Sequence, residues 1–425
     1  MMPARPQRSR PLMAVLTSPL ELSPMALAPL AAGRYELLWL VDSTPPVHRH
    51  VAAVHAAMLR KLGDVVHLEG LPTSQAATAI RRHRPDGIVT FQDAGMLRLA
   101  EIAAELELPF HTPKVAERLV DKFVQRRALH QGGVAVPRYA EVPPSGDCAA
   151  LADIESRISF PAVLKPRHGT GSENVVSVPS FLHLLEALSQ LSRDGIGEAM
   201  LVEEFIPAAP SRDEQIAPVV SVESYVSGGR VSNVAMTGRF RFVEPFRETG
   251  NFMPAELSDE DGAAVLQLAV DAARALEIES GCLHTEIKLA PSGPRLIEVN
   301  GRPGGGIPEM IGRLSKLDLY DVGCRLALGE QLPHERLLQM DRVVFRSVIQ
   351  APMSAHRVLS LQGFDEAATF PGVEHLLLNR GPGQSVDWRK GYRDFVFAAE
   401  GTVDDVAELR ALDRRLREEV SVVYE

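Results

Sequence analysis

Cysteine is scarce in this chain: three among 425 residues, at Cys148, Cys282 and Cys324, with no CxxC pair. That excludes a zinc ribbon and a disulfide framework, and it fits a reducing cytoplasm. No apolar run approaches the ~18 residues of a membrane span, so no membrane partner is expected. Positive charge is not in excess either. There are 45 Lys and Arg against 55 Asp and Glu, a formal charge of −10. Sequence-independent nucleic-acid binding works by neutralising phosphates and fits that balance poorly. No GxGxxG follows the first apolar strand, no GxxxxGK[ST] occurs, and no GxSxG marks a serine nucleophile. His48, His50, His83 and His111 have no zinc-ligand spacing, and Arg81-Arg82-His83-Arg84 reads as a solvated helix end.

What remains is an ordinary globular composition, 45% hydrophobic and 24% charged, long enough for about three domains. At the N-terminus Arg5, Arg8 and Arg10 precede the apolar stretch Leu12 to Leu16. Glu21 and the prolines Pro19, Pro24 and Pro29 interrupt a would-be signal core. This segment reads as a tail followed by a buried strand, Leu12 to Thr17. Further β-runs at Tyr35 to Val41, Val65 to Leu68 and Gly87 to Thr90 alternate with helical stretches at Val47 to Leu62 and Ser74 to Arg84. That alternation predicts a parallel sheet with crossover helices over residues 1–113.

Farther on, a helix pattern runs from Val120 to Leu129 and ends near Gly132-Gly133. A Pro/Gly/Asp-rich loop spans Pro143 to Asp147. A strand, Ala162 to Lys165, leads into the glycine turn His168-Gly169-Thr170-Gly171-Ser172. Backbone N–H groups of such a turn can cradle phosphate oxygens, although an ordinary hairpin turn has the same composition. The strand Met200 to Phe205 is followed by Pro207 to Pro218, read as an exposed insertion.

The most informative segment is 258–306. Ser258 and Asp261 have capping-box spacing, and Val265, Ala269, Ala272 and Leu276 mark one buried helix face. Strict alternation then begins. Cys282, His284, Glu286 and Lys288 share one face of a strand, with Leu283, Thr285, Ile287 and Leu289 on the other. After a turn at Ala290 to Pro294, Leu296, Glu298 and Asn300 share one face, with Ile297 and Val299 opposite. A hairpin centred on Ser292 sets Glu286 directly across from Glu298 and His284 across from Asn300. Like charges in that position destabilise a sheet unless a cation lies between them. Two carboxylates and an amide oxygen are hard ligands suited to Mg²⁺. The alternative is a solvated hairpin face. The loop Gly301-Arg302-Pro303-Gly304-Gly305-Gly306 favours the ligand reading, because its backbone can approach a ligand and Arg302 offers a planar fork.

The ordered set of Asp121-Lys122, Phe160 to Pro166 with its glycine turn, Val202 to Ile206, and Glu286, Glu298, Asn300 and Arg302 resembles the ATP-grasp superfamily. Glu248 to Ala255 and Glu298 to Pro308 are most similar to its L-amino-acid ligases, the carboxylate–amine ligases that join amino acids. The resemblance implies an α/β chain, α+β in parts: a Rossmann-like N-terminal domain (1–113), an ATP-grasp domain (114–334, with lobes 122–206 and 219–334) and a C-terminal lobe (335–425). It implies ATP held by Lys122 and Lys165, by the turn residues His168, Gly169, Gly171 and Ser172, and by Glu203, Glu204, Phe205 and Ile206. Glu203 would reach the adenine amino group, and Glu204 and Ile206 would offer main-chain contacts. Glu286, Glu298 and Asn300 would hold Mg²⁺ or Mn²⁺. Arg302 would be catalytic, steadying the transferring phosphoryl group. Glu248 would meet the free amine of the first amino acid, with Asn251, Gly304 and Gly305 shaping the substrate site. The acid that often serves the ribose is matched here by Val219, and Asp213 or Glu214 could substitute. The implied activity is condensation of two amino acids through an acyl phosphate, with release of ADP and phosphate. The implied partners are small carboxylates and amines, no nucleic acid and no membrane; oligomeric state is left open, a homodimer included. A ligase or carboxylase using another acid, another amine or bicarbonate, and a non-catalytic ATP sensor, are the alternatives.

Overall fold

A computed structural model describes residues 8–18, 23–42, 49–143, 148–210 and 213–425. Arg5, Pro19, Glu21, His48 and most of the Pro143 to Asp147 loop lie outside these residues. The first hundred residues form a parallel sheet of four strands in the order Gly63–His67, Glu36–Val41, Leu12–Thr17, Gly87–Thr90. Leu12–Thr17 and Gly87–Thr90 are buried along their whole length, as continuous apolar runs covered on both faces must be. The helices Arg49–Leu62 and Thr73–Arg81 are the crossovers expected from the alternation.

The helix expected from Val120 to Leu129 runs from Lys122 to Gln131, two residues later, and a separate helix, Pro113–Val120, precedes it. Asp121 separates the two. Its backbone is extended, and one carboxylate oxygen accepts the N–H groups of Phe123 at 2.9 Å and Val124 at 3.2 Å. An aspartate that caps is worth more at a helix start than inside one. Beyond it lies a four-stranded antiparallel sheet, ordered Tyr139–Val142, Met200–Glu204, Ala162–Pro166, Val176–Val178.

The largest layer is an eight-stranded antiparallel sheet. Its order is Gly293–Asn300, Ser280–Ala290, Ile216–Ser227, Arg230–Phe240, Gly250–Met253, Val343–Gln350, Phe395–Val403, Val373–Leu378. Helix Asp259–Ala275, capped by Ser258 on the Asp261 N–H at 3.1 Å, packs on one end of it. The helix buries Val265, Ala269 and Ala272, followed by Leu276, against Val220, Val222, Leu283, Ile287 and Val299. Each fully buried aliphatic side chain contributes roughly 1.5–3 kcal/mol, which seats the hairpin 280–300 firmly on the helix. The stretch expected as an exposed insertion is not a free excursion. The strand Ile216–Ser227 begins inside it, and Ala209, Asp213, Glu214, Ile216, Ala217 and Pro218 line a cavity. Its prolines and charges border a ligand-sized space rather than bulk solvent alone.

Candidate active site

The hairpin register is the one that the alternation implies: Glu286 is opposite Glu298, and His284 is opposite Asn300. The turn is not the expected one. Ala290 pairs with Gly293, half a residue away from a turn centred on Ser292. A bulge between Glu286 and Ile287 absorbs the difference and leaves Ile297 as the extra residue. This corrects the face assignment. Leu296 turns into the core beside Val299, while Ile297 joins Glu298 and Asn300 on the cavity wall. One inserted residue reverses the alternation on one side of the bulge only.

That wall belongs to a cavity of about 620 Å³ between the two antiparallel sheets. Lys122, Lys165, His168, Gly169, Gly171, Ser172, Glu203, Glu204, Phe205, Ile206, Glu286, Glu298 and Asn300 all line it. Lys122, at the start of its helix, reaches both sides. Its Nζ lies 3.0 Å from Glu298 Oε1 and donates to the Gly169 carbonyl at 2.6 Å. Gly169 and Gly171 adopt left-handed backbone, φ +124° and +66°, which suits a turn of closely spaced N–H groups. Phe205 stacks on Phe246, with centroids 6.4 Å apart, and Lys288 Nζ sits 4.1 Å from the Phe205 centroid.

Glu203 has partners that the sequence did not announce. Its buried carboxylate accepts from Arg126 Nε at 2.9 Å and Nη2 at 3.3 Å, and it also bonds Lys165 Nζ. Burial works to raise this carboxyl, but Arg126 and then Lys165 prevail and hold it at about 2. Lys165 shifts downward because burial outweighs the pull of Glu203. The acid expected to face a base is thus engaged by two buried cations. Glu204 accepts the Ser159 N–H at 2.8 Å and pairs with Arg138 at 2.7 Å, while its own N–H donates to the Arg138 carbonyl. Val219, Asp213 and Glu214 all border the cavity, and Asp213 pairs with Arg410.

A second chamber, of about 950 Å³, adjoins the first. The two share Thr170, Gly171, Glu173, Glu248 and Glu286. Asn251, Arg302, Gly304 and Gly305 line the second and not the first. Arg302 is fixed by Asp93, from the loop after strand Gly87–Thr90: Nε lies 2.8 Å and Nη2 2.5 Å from Asp93 Oδ2, and Nη2 donates to Thr170 Oγ1 at 3.1 Å. Glu248 lies 3.4 Å from Arg239 Nε.

Behind Glu286 stands a buried support. His284 Nε2 is 3.3 Å from Glu286 Oε1, and its Nδ1 bonds Glu223, a carboxylate with no exposure. The other Glu223 oxygen accepts the Gly304 N–H at 3.0 Å. A Cβ on Gly304 would stand 2.6 Å from His284 Nδ1, so only glycine permits this approach. Burial pulls the His284 imidazole down, but Glu223 and then Glu286 raise it to about 9. Glu286 is held down at about 2: burial opposes, and His284, Arg239 and Arg302 outweigh it. Arg126, Asp93, Glu223 and Arg239 were not anticipated. An isolated acid in the apolar run 219–226 was the one available sign, and it marks Glu223.

Among the described residues no group of three or more His, Cys, Asp or Glu side chains converges on a metal-sized point. The donors that do share the wall are the oxygens of Glu286, Glu298 and the Asn300 amide. They are hard ligands that leave room for water and phosphate, and they fit Mg²⁺ or Mn²⁺.

Residues 158–310 match the family model described as the ATP-grasp domain. That segment, about a third of the chain, is similar to ATP-grasp domains. An uncharacterized protein of Sinorhizobium fredii, y4rH, is 27% identical over 363 residues, 84% of this chain and 71% of that protein. Human carnosine synthase 1 is 28% identical over 264 residues, 57% of this chain but 31% of that much longer relative. The crystal structure of an L-amino acid ligase from Bacillus licheniformis superposes with a TM-score of 0.75 at 20% identity, covering 99% of this chain and 100% of that one. The likeness of fold to that structure therefore spans nearly the whole chain. No helix among the described residues is long and apolar enough to cross a membrane.

Proposed function

We propose that the protein is an ATP-dependent ligase that condenses the carboxylate of one amino acid with the amine of another. The observation that carries this reading is the junction of the two cavities. A nucleotide-sized space meets a second, larger chamber at Glu286, Glu248, Thr170 and Gly171. A phosphoryl group leaving the first is delivered into the second.

The acid's carboxylate attacks the γ-phosphorus, the bond to ADP breaks, and an acyl phosphate forms. The amine then attacks the acyl carbon, phosphate departs, and the amine gives up a proton. Lys122 and Lys165 bind phosphate oxygens. Arg302, held by Asp93, aims its guanidinium at the charge that develops on the transferring group. The turn 168–172 orients the phosphates, and Glu248 orients the first substrate through its ammonium. Glu286, Glu298 and Asn300 would hold Mg²⁺, which when bound neutralises phosphate charge. The chain's own task is chiefly positioning and exclusion of water. The names of two similar proteins, an amino acid ligase and a carnosine synthase, support this substrate class.

The test is ADP and phosphate release from the purified protein with Mg²⁺-ATP across pairs of amino acids, with mass spectrometry of the products. Release that requires both amino acids, with a product of dipeptide mass, supports the reading. Release driven by bicarbonate instead, or ATP binding with no release for any pair, overturns it.

A further inference from the structure

We infer that the acid-side amino acid carries a primary carboxamide on its side chain, held between Asn251 and Arg346 on the floor of the second chamber. The inference rests on the ligase reading above and narrows its substrate.

Four polar residues stand directly opposite one another across adjacent strands of the eight-stranded sheet. Arg239 faces Asn251, Asn251 faces Arg346, and Arg346 faces Glu400. All four line the chamber. Arg239 forms an ion pair with Glu248, its Nε 3.4 Å from the carboxylate though without a hydrogen bond, and Arg346 Nη1 donates to Glu400 Oε1 at 2.9 Å. Two atoms in the middle of the row have neither an ion pair nor a hydrogen bond. The side-chain oxygen Oδ1 of Asn251 and the Nε of Arg346 are both buried, and neither has a hydrogen-bond partner among the described residues. Buried polar atoms are nearly always paired in native proteins, so two orphans on neighbouring strands ask for a ligand.

Their chemistry selects it. Of the two in the middle of the row, one is an acceptor and the other a donor, and they do not bond to each other; the third unbonded atom of the row, Arg239 Nε, faces Glu248. A carboxamide satisfies both: its carbonyl accepts from Arg346 Nε and its NH₂ donates to Asn251 Oδ1. A carboxylate satisfies Arg346 alone and sets negative charge against the Asn251 oxygen and Glu400. A methyl or methylene satisfies neither, and a site built to hydrogen-bond rejects an analogue that cannot. The guanidinium is held in place by more than Glu400, since its carbon lies 6.0 Å from the Tyr392 centroid and 5.5 Å from that of Phe395. The spacing fits as well. Glu248, which meets the amine in this reading, abuts Arg239, and Arg346 stands two strand spacings from Arg239, about 10 Å. An amino acid with its amine at Glu248 extends its side chain along the row.

The test compares glutamine, asparagine, glutamate and norleucine as the acid, by ADP release from the full chain with Mg²⁺-ATP and an amine partner that supports turnover. The expected result is a KM for glutamine or asparagine about tenfold or more below that for glutamate or norleucine, the size of one hydrogen bond to a charged donor. Arg346→Met and Asn251→Leu should each bring those KM values to within about twofold of one another. Equal KM values in the unaltered protein, or a preference that survives in both variants, overturns the inference. Failure of every acid–amine pair to release ADP, glutamine included, overturns the ligase reading itself. Release that ignores the carboxamide overturns only the substrate assignment.

Discussion

Glu223, with no exposed surface, bonds the Nδ1 of His284 through one carboxylate oxygen and holds the Gly304 N–H with the other, at 3.0 Å. One buried acid thus braces both the imidazole behind Glu286 and the loop that carries Arg302. His284 is raised to about 9, above its ordinary value of 6.5. A group raised on folding stabilises the fold fully below its unfolded value, and that stability is lost as pH rises through the folded value. Unfolding free energy, measured by urea titration without divalent cation, should fall between about pH 6.5 and pH 9, by about 3 kcal/mol. In Glu223→Gln the decline should be smaller and complete at lower pH. Identical pH dependence in the two proteins would show that Glu223 does not hold the imidazolium.

Glu298→Gln keeps the shape of the side chain and removes its charge. Lys122, 3.0 Å away, loses its charged partner, and the proposed metal site loses one of its two carboxylates, Glu286 and Glu298. ADP release should fall by about a hundredfold or more, with partial recovery at high Mg²⁺ concentration. Near-normal release by a folded Glu298→Gln protein would refute the metal role.

Glu203 lies between Arg126 and Lys165. Glu203→Ala leaves two buried cations uncompensated and should destabilise the fold by about 3–5 kcal/mol in chemical denaturation. The carboxyl is held at about 2, below its ordinary 4.5. Its stabilisation is therefore present above about pH 4.5 and fades as pH falls toward about 2. A loss below about 1 kcal/mol would mean that water reaches the cluster.

Gly250 has φ +119°, and a Cβ there would stand 1.9 Å from the Arg346 carbonyl oxygen. Gly250→Ala must part the strand carrying Asn251 from the strand carrying Arg346. A loss of about 2–3 kcal/mol is expected, together with a raised KM for the acid substrate. Unchanged stability would show that the two strands separate freely.

Much of this was legible locally. The pairing of Glu286 with Glu298 followed from period-two alternation on either side of a proline–glycine turn, and the helix after Ser258 from its cap and its apolar spacing. The bulge at Ile297 was not legible, because a strand with one inserted residue has the same composition as a regular one. The helix start was set two residues early, at Val120, because the apolar pattern runs through Asp121 while the cap geometry lies in the backbone. Partners such as Arg126 for Glu203 and Asp93 for Arg302 are 77 and 209 residues away in sequence. Only the folded topology brings such pairs together, and no local spacing encodes them.

The eight-stranded sheet runs without interruption from the hairpin bearing Glu286 and Glu298 to the strands Val343–Gln350 and Phe395–Val403. A chain cut after residue 334 would therefore lose more than a peripheral lobe. Gly250–Met253 would become a border strand with its outward N–H and C=O groups bare, beside the freshly uncovered Phe240 and Phe252. Such a margin recruits other chains, so the shortened protein should be recovered as aggregates rather than as a smaller enzyme.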